Sequence, residues 1–190
     1  MLNLTKCQFV KSAAKKNDFL NDKKQVVFLG RSNVGKSSLI NALVNNKKLA
    51  YVSSTPGRTK LISFFSIEDK AYLVDAPGYG YFKDGALDFE DMMLDYFSLG
   101  NKVISKAYVL LDSRRLELSN NDLEVLNMLK QYNIPYTCLF TKCDKLNMSE
   151  RAKLNNSISS FNLSSEPIFT SSKTGDGIME LRKDISKSVQ

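Results

Sequence analysis

The 190-residue chain contains no histidine and no tryptophan. Without histidine there is no imidazole general base, no Ser-His-Asp or Cys-His pair and no imidazole metal ligand, which excludes much hydrolase and metalloenzyme chemistry. Cysteine is scarce. Cys7, Cys138 and Cys143 are odd in number and form no CxxC pair, which argues against a disulfide framework or a structural zinc site and for reduced thiols in a cytoplasmic protein. Long apolar runs are missing too: the longest, Ala107 to Leu111, is five residues, where a helical membrane span needs about 18. The N-terminal MLNLTKCQFVKSAAKK carries no continuous apolar segment of the kind found in a secretory signal. No Pro-rich, Gly/Ser-rich or repetitive stretch divides the chain. A single domain over residues 1–190 is therefore expected, with 1–24 as a short basic N-terminal extension.

Acidic residues are nearly absent from the first third. Residues 1–60 hold 12 Lys/Arg and 2 Asp/Glu, whereas 61–190 hold 15 and 18. Such a split points to a polyanionic partner or to a solvated basic face with a few nucleotide-binding lysines. No RNA-binding fold signature and no basic amphipathic helix with Trp is evident, so neither sequence-specific RNA readout nor membrane attachment is expected.

What is present alternates between two periodicities. Short apolar runs at Gln25–Leu29, Leu61–Ile67, Ala71–Val74, Tyr108–Leu111, Tyr136–Phe140 and Ile168–Thr170 read as six strands, the second and third joined by a tight Glu-Asp-Lys turn. Between and after them lie helical patterns. Leu39, Ile40, Leu43 and Val44 follow the first strand. Phe89, Met92, Met93, Tyr96 and Phe97 recur at i, i+3, i+4, i+7 and i+8. Leu123, Leu126, Leu129 and Tyr132 follow a Ser119–Asp122 helix start, and further helices are marked by Leu154, Ile158 and Phe161 and by Ile178, Leu181, Ile185 and Val189. This order predicts a three-layer α/β/α fold whose ligands bind at the carboxyl ends of the strands.

The first such end carries Gly30-Arg31-Ser32-Asn33-Val34-Gly35-Lys36-Ser37, a complete G-x-x-x-x-G-K-S between a strand and a helix. Its backbone N–H groups can cradle phosphate oxygens at a helix N-terminus. Lys36 serves the β- and γ-phosphates, and the Ser37 hydroxyl ligates Mg²⁺. Asp75-Ala76-Pro77-Gly78 matches D-x-x-G. Asp75 is placed to hold Mg²⁺ through water, and the Gly78 N–H to meet the γ-phosphate. Thr55-Pro56-Gly57-Arg58-Thr59-Lys60, followed by Leu61, lies before the second strand, where Thr59 is the candidate second Mg²⁺ ligand and Thr55 its alternative. Thr141-Lys142-Cys143-Asp144 matches the [NT]KxD motif of GTPases. Asp144 can accept from guanine N1–H and the 2-amino group, which adenine cannot satisfy. Ser171-Ser172-Lys173 looks like the loop of the same enzymes that meets guanine O6, with Ser172 at the position of the contacting N–H.

Together GRSNVGKSSLINAL (30–43), TPGRTK (55–60), DAPGYGY (75–81), DSRR (112–115) with Asp122, TKCD (141–144) and SSKTGDG (171–177) resemble the EngB (YihA/YsxC) family of small GTPases. The resemblance covers nearly the whole chain. It implies a Ras-like fold with a mostly parallel six-stranded sheet and one antiparallel edge strand. It also implies binding of GTP or GDP with Mg²⁺, slow intrinsic hydrolysis and a role in large ribosomal subunit assembly, with a link to cell division. The partner would then be the large subunit or its precursor, met through rRNA by the basic third of a monomeric protein. Tyr79 stands where Ras-like enzymes place a water-orienting Gln. Lys36, Gly78 and Asn33 are the catalytic candidates, Asn33 because its position suits GTPases that use K⁺ near the phosphates; as a turn former it needs no such role. Two other readings remain at this level: a nucleotide-gated binding module with negligible hydrolysis, and a P-loop kinase for a small molecule.

Overall fold

The computed structural model describes residues 2–50, 61–80 and 86–190. Among them, seven strands form one sheet: β1 (Cys7–Ala13), β2 (Lys24–Gly30), β3 (Ile62–Ile67), β4 (Ala71–Asp75), β5 (Ile104–Asp112), β6 (Tyr136–Thr141) and β7 (Ile168–Phe169), in the order β1-β3-β4-β2-β5-β6-β7. The helices are α1 (Lys36–Val44), α2 (Ala86–Phe97), α3 (Gly100–Val103), α4 (Asn120–Gln131), α5 (Met148–Ile158) and α6 (Ile178–Ser188). All six strands read from the sequence are present. β1 is an addition and a correction. Its residues CQFVKSA bury only Cys7 and Ala13 well and leave Gln8, Phe9 and Val10 exposed, so no alternation betrays it.

β1 pairs antiparallel with β3, from Cys7 opposite Ile67 to Ala13 opposite Ile62, with an irregularity between Phe9 and Lys11. β3 in turn runs antiparallel to β4. The single strand running against the others is therefore β3, and it is internal. The expected antiparallel edge strand is capped by β1, and the region expected to be a basic extension is partly sheet. The β3–β4 turn is as predicted: Glu68 and Asp69 take φ of 50° and 57°, the left-handed pair of a tight hairpin.

Pleating sorts the core into two layers. Val26 and Phe28 of β2 face α1 and α6, with Leu39, Ile40, Leu43, Leu181 and Ile185. Val27 and Leu29 face α2, α4 and α5, with Met93, Tyr96, Phe97, Leu129 and Leu154. Tyr96 and Phe97 are fully buried, and burying a side chain of that size contributes about 1.5–3 kcal/mol. On α4 the buried apolar residues are Val125, Leu126 and Leu129, whereas Leu123 is 44% exposed. Leu123 is thus off the face predicted for it, because the stripe is set by how α4 leans on the sheet. The carboxyl ends of β2, β4, β5 and β6 and the loop after β7 lie on the same edge of the sheet, and there the motifs converge.

Candidate nucleotide-binding site

The phosphate loop leaves β2 at Gly30 and enters α1 at Lys36. Two residues take left-handed backbone, Asn33 (φ 65°) and Gly35 (φ 104°), so the intervening amides turn inward. The D-x-x-G segment is stitched to it by a continuation of the sheet. Tyr79 N donates to Gly30 O at 3.2 Å, Ser32 N donates to Tyr79 O at 3.2 Å, and Ala76 N donates to Phe28 O at 3.3 Å. Gly78 packs so close that a Cβ there would sit 2.9 Å from Ser32 Oγ and 3.0 Å from Ser32 Cα. The absence of a side chain at Gly78 lets the two loops touch. Ala76 and Pro77 are buried behind this contact.

Lys36 and Asp75 form an ion pair with Lys36 9% and Asp75 5% exposed. Phosphate and a metal would draw these groups apart, Lys36 to phosphate oxygens and Asp75 toward the metal's water shell. The donor set fits magnesium. Ser37 supplies a hydroxyl and Asp75 a carboxylate, hard oxygens suited to a cation that keeps several waters and takes phosphate oxygens. Among the described residues no cluster of three or more His, Cys, Asp or Glu offers an all-protein cage. The predicted Gly57, Arg58, Thr59 and Lys60 lie outside the described residues, as does Thr55; Leu61 is 41% exposed beside β3.

The base-recognition loops come together as predicted. Asp144 Oδ1 accepts from Ser171 Oγ at 2.7 Å, and that hydroxyl holds the Asp144 carboxyl below its ordinary pKa. Ser171 is fully buried. Its hydroxyl also accepts from the N–H of Lys173 and Thr174, at 3.2 and 3.1 Å. Ser172 and Lys173 are exposed. Cys143 N donates to Thr170 O at 3.2 Å, which ties the two loops together.

Thr141 replaces the commoner Asn without losing the brace. Its hydroxyl lies 2.8 Å from Val34 O and 3.2 Å from Leu111 O, linking the phosphate loop to β5 and β6. Lys142 takes left-handed backbone (φ 61°), and its ammonium donates to Asn33 O and to Asp112 Oδ2, both at 3.0 Å. Asp112 also takes a two-point contact from Arg114, at 2.8 and 2.6 Å. Burial pushes the Asp112 carboxyl up, but hydrogen bonds from Arg114 and Lys142 outweigh it and hold it well below the usual carboxylate range.

Tyr79 is not aimed at the phosphates. It is 3% exposed, and its hydroxyl donates to Asp122 Oδ1 at 2.8 Å. Burial and the Asp122 charge push the phenol well above its ordinary pKa. Asp122 also closes the capping box of α4, accepting from Ser119 N at 2.9 Å and Ser119 Oγ at 2.6 Å. The Ser119–Asp122 spacing announced the cap, but nothing in the sequence linked it to Tyr79.

A phosphate loop, a D-x-x-G strand end laced to it, and a TKxD loop hydrogen-bonded to a serine loop define a P-loop GTPase. Comparison with known proteins narrows the class. Residues 25–142 match the family described as 50S ribosome-binding GTPase. The EngB GTP-binding protein of Solibacter usitatus is 38% identical over 188 residues, 97% of each chain. That of Mycoplasma capricolum is 46% identical over 155 residues, 79% of this chain and 78% of its own. A crystal structure of an EngB GTP-binding protein superposes with a TM-score of 0.67 at 26% identity, covering 87% of this chain and 98% of the other. The chain belongs to the EngB family of GTP-binding proteins.

Proposed function

We propose that this GTPase is a slow molecular switch that assists assembly of the large ribosomal subunit, and that its own hydrolysis is poor until a partner or K⁺ completes the site. The observation that carries the slow rate is Tyr79. Its phenol is buried and committed to Asp122, so the residue after D-x-x-G has no side-chain group with which to orient water. Asn33, exposed and left-handed at the tip of the phosphate loop, is the position from which a monovalent cation would be held. Thr59 is the metal ligand that comes with the triphosphate. Thr59→Ala should then lower GTP affinity and spare GDP; equal loss of both would make Thr59 a structural turn residue.

The ribosomal partner is supported by the description of the matching family and by the basic first third. The switch is tested by single-turnover hydrolysis with Na⁺, with K⁺ and with purified ribosomal particles, and by co-sedimentation of the GTP-analogue and GDP states with each subunit. Stimulation by K⁺ or by large particles, and GTP-dependent sedimentation with the large subunit alone, are expected. Fast hydrolysis by the isolated protein in Na⁺, or equal sedimentation in both nucleotide states, rejects the reading.

A further inference from the structure

The segment DSRR (112–115) begins where β5 ends. Asp112, the last residue of β5, stands opposite Thr141 in the parallel register with β6. Its neighbour across the sheet edge is therefore Lys142, the residue after Thr141. The two carboxylate oxygens of Asp112 do different work. Oδ1 serves the local turn, accepting from Arg114 N at 3.1 Å and Arg114 Nε at 2.8 Å. Oδ2 reaches out of the turn to the Lys142 ammonium at 3.0 Å, and also accepts from Arg114 Nη2 at 2.6 Å. The Asp112 side chain is 13% exposed and that of Lys142 31%.

Lys142 joins the base loop to the phosphate loop. Its stem passes over Gly35, where a Cβ would lie 3.7 Å from Lys142 Cε, and its ammonium donates to Asn33 O at 3.0 Å. That carbonyl is a neutral acceptor at an exposed position. Asp112 adds a charge-assisted bond, roughly twice as strong as a neutral one, and among the described residues it is the carboxylate paired with Lys142. The two-point contact from Arg114 fixes the plane of that carboxylate. A lysine stem held at its far end is ordered before nucleotide arrives, so binding has one rotamer-rich side chain fewer to immobilise.

We propose that Asp112 is a positioning residue for the guanine nucleotide: it holds Lys142 against the phosphate loop and so sets how slowly bound nucleotide leaves. It acts through Lys142, and the inference rests on the TKCD loop being part of the nucleotide site. Gly78, Ser37 and Asp75, the groups assigned to the γ-phosphate and the metal, have no part in this link. Loss of Asp112 should therefore weaken retention of GDP and GTP alike.

The test measures release of N-methylanthraniloyl-GDP, and of the matching non-hydrolysable GTP analogue, from the full chain with Mg²⁺ after an excess of unlabelled GDP is added. Asp112→Ala is expected to speed release of both about tenfold. Lys142→Met, which keeps the stem and loses the ammonium, completes a double-mutant cycle. Asp112→Ala added to Lys142→Met should change release less than about twofold, because the link is already gone. A residue that only supported the turn would lower Tm and speed release by the same factor in both backgrounds, and that result overturns the proposal. So does unchanged release from Asp112→Ala, or a loss confined to the GTP analogue. Unchanged release from Lys142→Met instead removes Lys142 from the nucleotide site and takes the proposal with it, so the two failures are distinguishable. Asp112→Asn, which keeps the shape and removes the charge, carries the same expectations if Asp112→Ala does not fold.

Discussion

At the scale of single residues, Asp144 and Tyr79 carry opposite lessons. Asp144 sits where its motif places it, at the end of β6, and accepts from Ser171 of the neighbouring loop. Asp144→Asn should weaken GTP binding on the order of a hundredfold and improve xanthosine triphosphate, whose 2-oxo group wants a donor. Competition binding measures both, and unchanged GTP affinity removes the guanine assignment. Tyr79 occupies a catalytic position by sequence and a structural one in space. Tyr79→Phe leaves Asp122, 3% exposed, short of one donor, which should cost about 1–3 kcal/mol of stability in denaturant unfolding. Hydrolysis per bound GTP should stay as it was; a drop of tenfold or more would return the phenol to the chemistry.

At the scale of elements, the loops are fixed by what they lean on. Gly177, the left-handed residue before α6 (φ 69°), lies so close to β7 that a Cβ would fall 2.1 Å from Phe169 O. Gly177→Ala should cost at least about 2 kcal/mol and loosen the Ser171 loop with it, read as a lower Tm and weaker guanine nucleotide binding together. The same logic makes Thr141 a brace rather than a contact. Thr141→Val keeps the shape and removes the hydroxyl that reaches Val34 O and Leu111 O. It should lower stability by about 1–2 kcal/mol and weaken GDP and GTP alike, and Thr141→Asn should recover much of the loss. Equal nucleotide affinity in Thr141→Val would show that the phosphate loop holds its shape without this link.

At the scale of the whole molecule, charge and fold were legible to different degrees. The asymmetry of 12 cationic against 2 acidic residues in the first third is plain in the sequence. Lys11 stands beside Asp18 at 3.9 Å with both side chains exposed, a pair worth little in water. Neutralising Lys11, Lys15, Lys16, Lys47 and Lys48 together should leave nucleotide affinity nearly unchanged. It should flatten the salt dependence of particle binding by up to about 0.7–0.9 in log–log slope per lost phosphate contact. An unaltered slope would make the basic face mere solvated surface. Strands buried on both faces announced themselves as apolar runs, whereas β1, at the edge and wet on much of its surface, had no such signature.

The sequence by itself determined the strand–helix alternation, the phosphate loop, the D-x-x-G and TKxD ends and the helix caps, because each depends on residues adjacent in the chain or at a fixed period. Only the tertiary structure decided which distant groups meet: Tyr79 with Asp122, 43 residues apart; Lys142 with Asn33, 109 apart; and β1 laid against β3. Such pairings turn on strand order and on how helices lean across a sheet. A local pattern records neither, since the free energy that selects them is shared over the whole core.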